Sequence, residues 1–167
     1  SLLISSESGS FTLSGADISF LKSLIVPAGS GSFNLTGQDI SFIKNLIIPA
    51  SAGSFALSGQ AAGLLQSRLI SAGAGSFALA GTDASLLGSR LIPAESGGFT
   101  LTGDDIDFIL SIIMAAGSGD FNLTGNDINF IKSLIVPAGS GTFNLGGQGA
   151  GLLQRRLVGC GNGAFSL

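Results

Sequence analysis

The chain has no histidine, tryptophan or tyrosine, and only one cysteine, one methionine and four prolines in 167 residues. Without histidine there is no imidazole to act as a general base or as the commonest metal ligand. No serine is set beside a base or an oxyanion-type motif, so the sequence points away from an enzyme and implies no cofactor. A single thiol, Cys160, forbids an intramolecular disulfide and a cysteine-rich metal cluster. It occupies a column otherwise held by Ala28, Ala50, Ala72, Ala94, Ala116 and Ala138, which marks it as a small packing residue. Charge is scarce too: 10% of residues are charged and the net charge is −3, against roughly 25% charged in an ordinary soluble domain. The seven dispersed basic residues give no electrostatic footprint for nucleic acid. The longest apolar stretch, Phe108 to Ala116, is interrupted by Ser111 and reaches about half of the ~20 residues of a membrane-spanning helix. Ser1-Leu2-Leu3-Ile4 lacks the basic flank and apolar core of a signal peptide.

What the chain does have is phenylalanine at a constant spacing of 22 residues: Phe11, Phe33, Phe55, Phe77, Phe99, Phe121, Phe143 and Phe165. The whole of residues 1–167 is therefore one repeat array, with a partial repeat at 1–10, seven full repeats over 11–164 and the start of another at 165–167. The fragments at the ends, and the absence of an initiator Met, fit a chain cut from something longer, processed, or completed by a neighbour.

Each unit approximates G-S-F-x-L-x-G-x-D-I-x-F-I-K-x-L-I-I-P-A-x-S. Its first segment alternates, with Phe11 and Leu13 on one side and Thr12 and Ser14 on the other, bounded by glycine at both ends. Alternation of period two between glycines is a half-buried strand. The two glycine columns, through Gly9 and Gly15 in the first unit, mark turns where φ is positive or backbones approach closely. The second segment, Ile40 to Ile48 in the second unit, has two readings. A helix would take Asp39 as its N-cap and end before Pro49. A strand buried on both faces, followed by a Pro-Ala turn, suits the Ile, Val and Phe content and the short length better. The expected fold is thus all-β: tandem 22-residue repeats forming a β-solenoid or stacked β-hairpins, with two strands per repeat and Phe11, Phe33, Phe55, Phe77, Phe99, Phe121 and Phe143 as a structural core ladder. One strand spacing of ~4.8 Å per unit gives a body of about 34 Å.

A slower rhythm overlies this one. Units such as Asp17-Ile18-Ser19-Phe20-Leu21 alternate in pairs with units such as Ala62-Gly63-Leu64-Leu65 that carry an Arg. This order is explained by gene duplication, or by a stack in which four hairpins complete one turn and unit n lies in the environment of unit n+4.

The polar positions flanking Phe and Leu are the candidate surface: Thr12, Ser14, Asn34, Thr36, Thr100, Thr102, Asn122 and Thr124. A flat strand face with hydroxyls two residues apart resembles the Thr-x-Thr ladders of ice-binding solenoids, with Ala78, Ala80 and Gly146 as breaks. Against this stands an ordinary solvated or inter-subunit face. Asn34-Leu35-Thr36 and Asn122-Leu123-Thr124 are also glycosylation sequons. Asp17, Asp39, Asp83, Asp105 and Asp127 follow the glycine turn and read as turn or cap residues. Each turn offers too few oxygens for a hard cation, and Asp104, Asp105 and Asp107 are the only dense acidic cluster. Lys22, Lys44 and Lys132 are expected to be solvated stems, an anionic polysaccharide groove being the alternative.

With its Gly53-Ser54-Phe55-Ala56-Leu57-Ser58-Gly59-Gln60-Ala61-Ala62-Gly63-Leu64-Leu65 stretch closest, the consensus resembles the Gly-rich tandem repeats of largely uncharacterised bacteriophage virion and tail-associated proteins and of marine bacterial proteins. The resemblance covers almost the whole chain, although units with Ile-x-Phe and no Arg depart from it. It implies an extracellular or virion location, and the missing catalytic constellation makes a noncatalytic structural role the expectation. A homo-oligomer or fibre that associates through sheet edges and apolar faces is then the leading expectation, with few charged gatekeepers to prevent it. A surface-binding module for ice or glycan is the alternative.

Overall fold

The computed structural model describes residues 2–3, 8–22, 24–25, 29–43, 46–50, 52–65, 69–88, 92–109, 114–131, 135–153, 157–160, 162 and 164–166. Every assigned element is a strand, and the strands fall into three parallel sheets of eight, eight and seven members. The chain is a three-sided β-solenoid. Each 22-residue unit is one coil, and the strand of a given side pairs with the strand of the same side in the next coil.

In the second unit the three sides are Ser32–Thr36, Asp39–Ile43 and Leu46–Ala50. The sheets are named here the Phe sheet, the Asp sheet and the Pro sheet, in that order. The expected long second strand is thus two strands, so a repeat holds three strands rather than two. Pro49 and Pro93 lie inside strands, Leu46–Ala50 and Ile92–Ala94, and not in the turn that follows. The φ fixed by the ring is compatible with extended backbone, which lets the strand run through the proline.

The corner that splits the segment explains why it looked continuous. Lys22, just after Asp17–Leu21, has φ 72°, and Gly88, just after Asp83–Leu87, has φ 70°. These residues are equivalent in the repeat, and the left-handed conformation they share turns the chain from the Asp sheet to the Pro sheet. A non-glycine residue there bears a cost of roughly 1–2 kcal/mol, which the surrounding pairing offsets.

Both glycine columns mark close approach rather than positive φ. Ser54 N–H donates to the Gly31 carbonyl at 3.2 Å, and Ser76 N–H to Gly53 at 3.1 Å, so these corners stack coil on coil. A Cβ built at Gly53, Gly75, Gly97, Gly119 or Gly141 would overlap the carbonyl oxygen of the glycine one coil earlier. At the other corner, a Cβ at Gly103 would stand 2.8 Å from the Gly81 oxygen.

The core lies inside the three sides. Phe33, Phe55 and Phe99 are fully buried, as are Leu35, Leu57, Leu79, Leu101 and Leu123 to within 1%. Backbone register carries the whole predicted ladder from Phe11 through Phe33, Phe55, Phe77, Phe99 and Phe121 to Phe143. Neighbouring rings stack, with centroids 4.8 Å apart for Phe11 and Phe33 and 5.0 Å apart for Phe33 and Phe55. This spacing matches the strand separation of ~4.8 Å, so identical residues repeat at the distance at which rings and methyls touch.

Unit n therefore lies beside unit n+1 on all three sides among the described residues, which overturns the four-hairpin turn. The paired unit types meet directly: Ile40 is in register with Ala62, Ala62 with Ala84, and Ala84 with Ile106. All four are buried, so the slow rhythm is a change in core volume along the axis. The Arg column at 68, 90 and 156 lies outside the described residues.

Candidate functional face

Alternation along the strands of the Phe sheet sends Phe and Leu inward and the intervening residues outward. In Ser32–Thr36 the buried positions are Phe33 and Leu35, while Ser32 and Asn34 are half-buried and Thr36 is exposed. The predicted surface ladder is therefore outward-facing, with Thr12, Ser14, Thr36, Thr102 and Thr124 exposed and Asn34, Thr100 and Asn122 half-buried.

Register aligns these side chains in two columns. Thr12 is beside Asn34 and Ser14 beside Thr36; further along, Thr100 is beside Asn122 and Thr102 beside Thr124. Ala56, Ala78 and Ala80 interrupt them. Thr12, Ser14, Asn34 and Thr36 are thus brought together, as are Thr100, Thr102, Asn122 and Thr124, but the two groups are separated along the axis. A third column, Ser10, Ser32, Ser54 and Ser76, is missed by reasoning that starts at the Phe. The signal for it was present, because the residue before an inward Phe must point outward.

Polar side chains on this face also bond from coil to coil. Asn144 Nδ2 donates to Asn122 Oδ1 at 2.8 Å, and Ser166 Oγ donates to Asn144 Oδ1 at 2.6 Å. Thr142 donates through both its hydroxyl and its backbone N–H to the Asp120 carboxylate. Such amide and hydroxyl ladders satisfy polar groups along the stacking direction and hold the register.

The Asp column opens the strands of the Asp sheet, and Asp17, Asp39, Asp83, Asp105 and Asp127 are all exposed. Asp107 accepts from Asn129 Nδ2 at 3.1 Å, and Asp104 more weakly from Asn126 Nδ2 at 3.5 Å. Among the described residues no three acidic or thiol groups converge in a metal-binding arrangement. Lys22 occupies the left-handed corner; Lys44 and Lys132 lie outside the described residues. Cys160 is in register with Ala138, as the Ala column requires.

Two shallow grooves follow the corners. One, of about 470 Å³, runs between the Pro and Phe sheets along Gly31, Gly53 and Gly75 with Ser32, Ser54 and Ser76 on its bank. The other, of about 480 Å³, runs between the Phe and Asp sheets past Thr102, Thr124, Asp104 and Asn126. The first repeats Gly and Ser from coil to coil, whereas the second changes, with Thr82, Asp104 and Asn126 at equivalent positions. No helix among the described residues is long and apolar enough to cross a membrane. No protein-family model, curated protein or solved structure matches the chain.

Proposed function

We propose that the chain is a noncatalytic structural solenoid of an extracellular or virion assembly, such as a tail or fibre, and that it self-associates through its sheet edges and apolar surfaces. One observation carries this reading. Each coil is covered in register by a coil of nearly the same sequence, ring on ring from Phe11 to Phe33 at 4.8 Å and from Phe33 to Phe55 at 5.0 Å, and Phe33 and Phe55 are fully buried by that stacking. A coil of the same sequence from a second chain can stack in the same way, because it supplies the same ring stack and the same parallel hydrogen bonding. Completing the burial of a Leu or Phe is worth up to about 1.5–3 kcal/mol. Three strand edges per coil add backbone pairing along the full perimeter.

The test is sedimentation with electron microscopy at rising concentration. The wild-type chain is expected to form ordered fibres or a fixed oligomer, and Leu13→Lys, which places a charge in the Leu column through which coils stack, is expected to raise the concentration needed for assembly at least tenfold. A wild-type chain that stays monomeric throughout would contradict the proposal.

A second reading, a surface-binding module for ice or glycan, is favoured by the outward, in-register Thr/Ser/Asn columns. Its support would be a monomer with measurable ice or glycan binding that Thr102→Lys abolishes.

A further inference from the structure

At the corner between the Phe and Asp sheets, three consecutive coils place a short polar residue after the glycine: Gly81-Thr82, Gly103-Asp104 and Gly125-Asn126. Elsewhere that column holds Ala16 or the longer Gln38, Gln60 and Gln148. On the other side of the glycine, Thr102 and Thr124 end their Phe-sheet strands in register with each other. The half-buried glycines floor the groove of about 480 Å³, and the five polar side chains on its banks are exposed. The floor stays bare for a steric reason. A Cβ at Gly103 would stand 2.8 Å from the Gly81 oxygen, and one at Gly125 would stand 2.7 Å from the Gly103 oxygen. Stacking thus forbids a side chain there and leaves a trough along the solenoid axis.

The backbone amides of this floor are already committed. Gly81 N–H donates to the Thr102 carbonyl at 3.0 Å, Gly103 to Thr124 at 3.1 Å, Asp104 to Thr82 at 2.7 Å and Asn126 to Asp104 at 2.8 Å, so the corner offers no nest of free amides to an anion. No basic, aromatic or large apolar residue lines the groove among the described residues. Asp83, Asp105 and Asp127 stand exposed beside it, and the local charge repels an acidic ligand. Its own side chains supply a carboxylate that accepts, an amide that donates and accepts, and threonine hydroxyls that do both. Asn126 Nδ2 meets Asp104 Oδ1 at 3.5 Å, beyond the ordinary range for such a bond, so each retains capacity for a ligand. Threonine methyls and glycine methylenes lie between these polar groups. Such a mixture matches the hydroxyls and C–H faces of a sugar ring.

We propose that this groove binds a neutral oligosaccharide lying along the solenoid axis, with Asp104 and Asn126 as its principal hydrogen-bonding pair. The inference rests on the glycan form of the surface-binding reading, and it moves the site from the outward columns of the Phe sheet to the corner beside them. The groove volume falls within the roughly 300–1,000 Å³ of small-ligand sites, and its shallow form suits a stretch of polymer. Without an aromatic platform one groove binds weakly. Retention by a polysaccharide therefore gains from several grooves acting together, as a multimer of the chain would present them.

The experiment is retention of the full chain on immobilised neutral polysaccharides (a glucan, a mannan and a galactan), with alginate as the anionic control. Asp104→Ala and Asn126→Ala alter the groove alone; Thr12→Val and Thr36→Val alter the outward columns alone. All four positions are exposed, and thermal unfolding checks that each variant folds. The expected result is retention of the wild-type chain on at least one neutral polysaccharide and not on alginate, weakened at least tenfold by each groove variant and unchanged by Thr12→Val and Thr36→Val. Retention kept in the groove variants and lost in the other two would overturn this site while leaving glycan binding intact. Equal retention of the wild-type chain on alginate would overturn the neutral ligand. No retention on any neutral polysaccharide would overturn both the site and the glycan reading.

Discussion

Gly97→Ala is expected to destabilise the array by about 3–5 kcal/mol, the severe end of the range for one substitution. A Cβ at that position would overlap the Gly75 carbonyl oxygen and lie 2.7 Å from its carbon and 2.9 Å from the Gly73 oxygen. All three atoms are backbone, so no side-chain rotation relieves the clash. Relief requires parting two coils that are held by corner hydrogen bonds such as Ser96 N–H to the Gly73 carbonyl, 3.1 Å. The control is the next residue. A Cβ at Gly98 meets nothing within 4 Å, and Gly98→Ala is expected to change stability by less than about 1 kcal/mol, since alanine also loses less backbone entropy on folding. Urea unfolding followed by circular dichroism distinguishes the two; equal effects would mean that the coils do not approach as described.

Phe55→Ala is expected to cost about 3–5 kcal/mol, the range for emptying a buried aromatic site. Phe55 is fully buried and stacks almost parallel to Phe33, with 4° between the ring planes, a contact worth roughly 0.5–1.5 kcal/mol beyond area burial. Because each coil touches only its neighbours, a cavity in the third coil also breaks cooperativity, and unfolding is expected to become broader or biphasic. Phe11→Ala, at the half-buried edge of the same column, is expected to cost less than half as much in the same assay. A uniform penalty along the column would argue against a stacked interior.

The parts of the fold legible in the sequence are those where one residue type repeats for one physical reason. Phe33 and Leu35, alternating with Asn34 and Thr36 between glycines, mark a strand with one buried face, and the structure has that strand and that face. The glycines mark corners, and both columns are corners, although crowding by the previous coil and not positive φ is what requires them. The third corner was hidden. Its column reads Lys22, Lys44, Gln66, Gly88, Leu110, Lys132 and Gln154, so the residue type that signals a left-handed turn is present in one unit only. Lys22 adopts φ 72° because the strands that flank it in the chain, Asp17–Leu21 and Leu24–Ile25, are each paired with the next coil and fix the corner, an energy balance that local sequence does not display.

The candidate face was legible for the same reason as the strand, and its eight predicted residues all lie on the outward side of the Phe sheet. What escaped was its breadth, the Ser column before each Phe, and its interruption into two groups by Ala56, Ala78 and Ala80.

The axial stack of one coil per repeat is the claim on which the rest depends, and distances between spin labels test it most directly. Labels paired from Ser14 to Thr102, to Thr124 and to Gly146 lie four, five and six coils apart in one outward column, with Cys160→Ala removing the native thiol. The stack predicts backbone separations of about 19, 24 and 29 Å, rising by ~4.8 Å per coil. Separations rising by about twice that amount would indicate a flat meander, and a short distance between Ser14 and Thr102 would restore the four-unit turn; either result would contradict the solenoid.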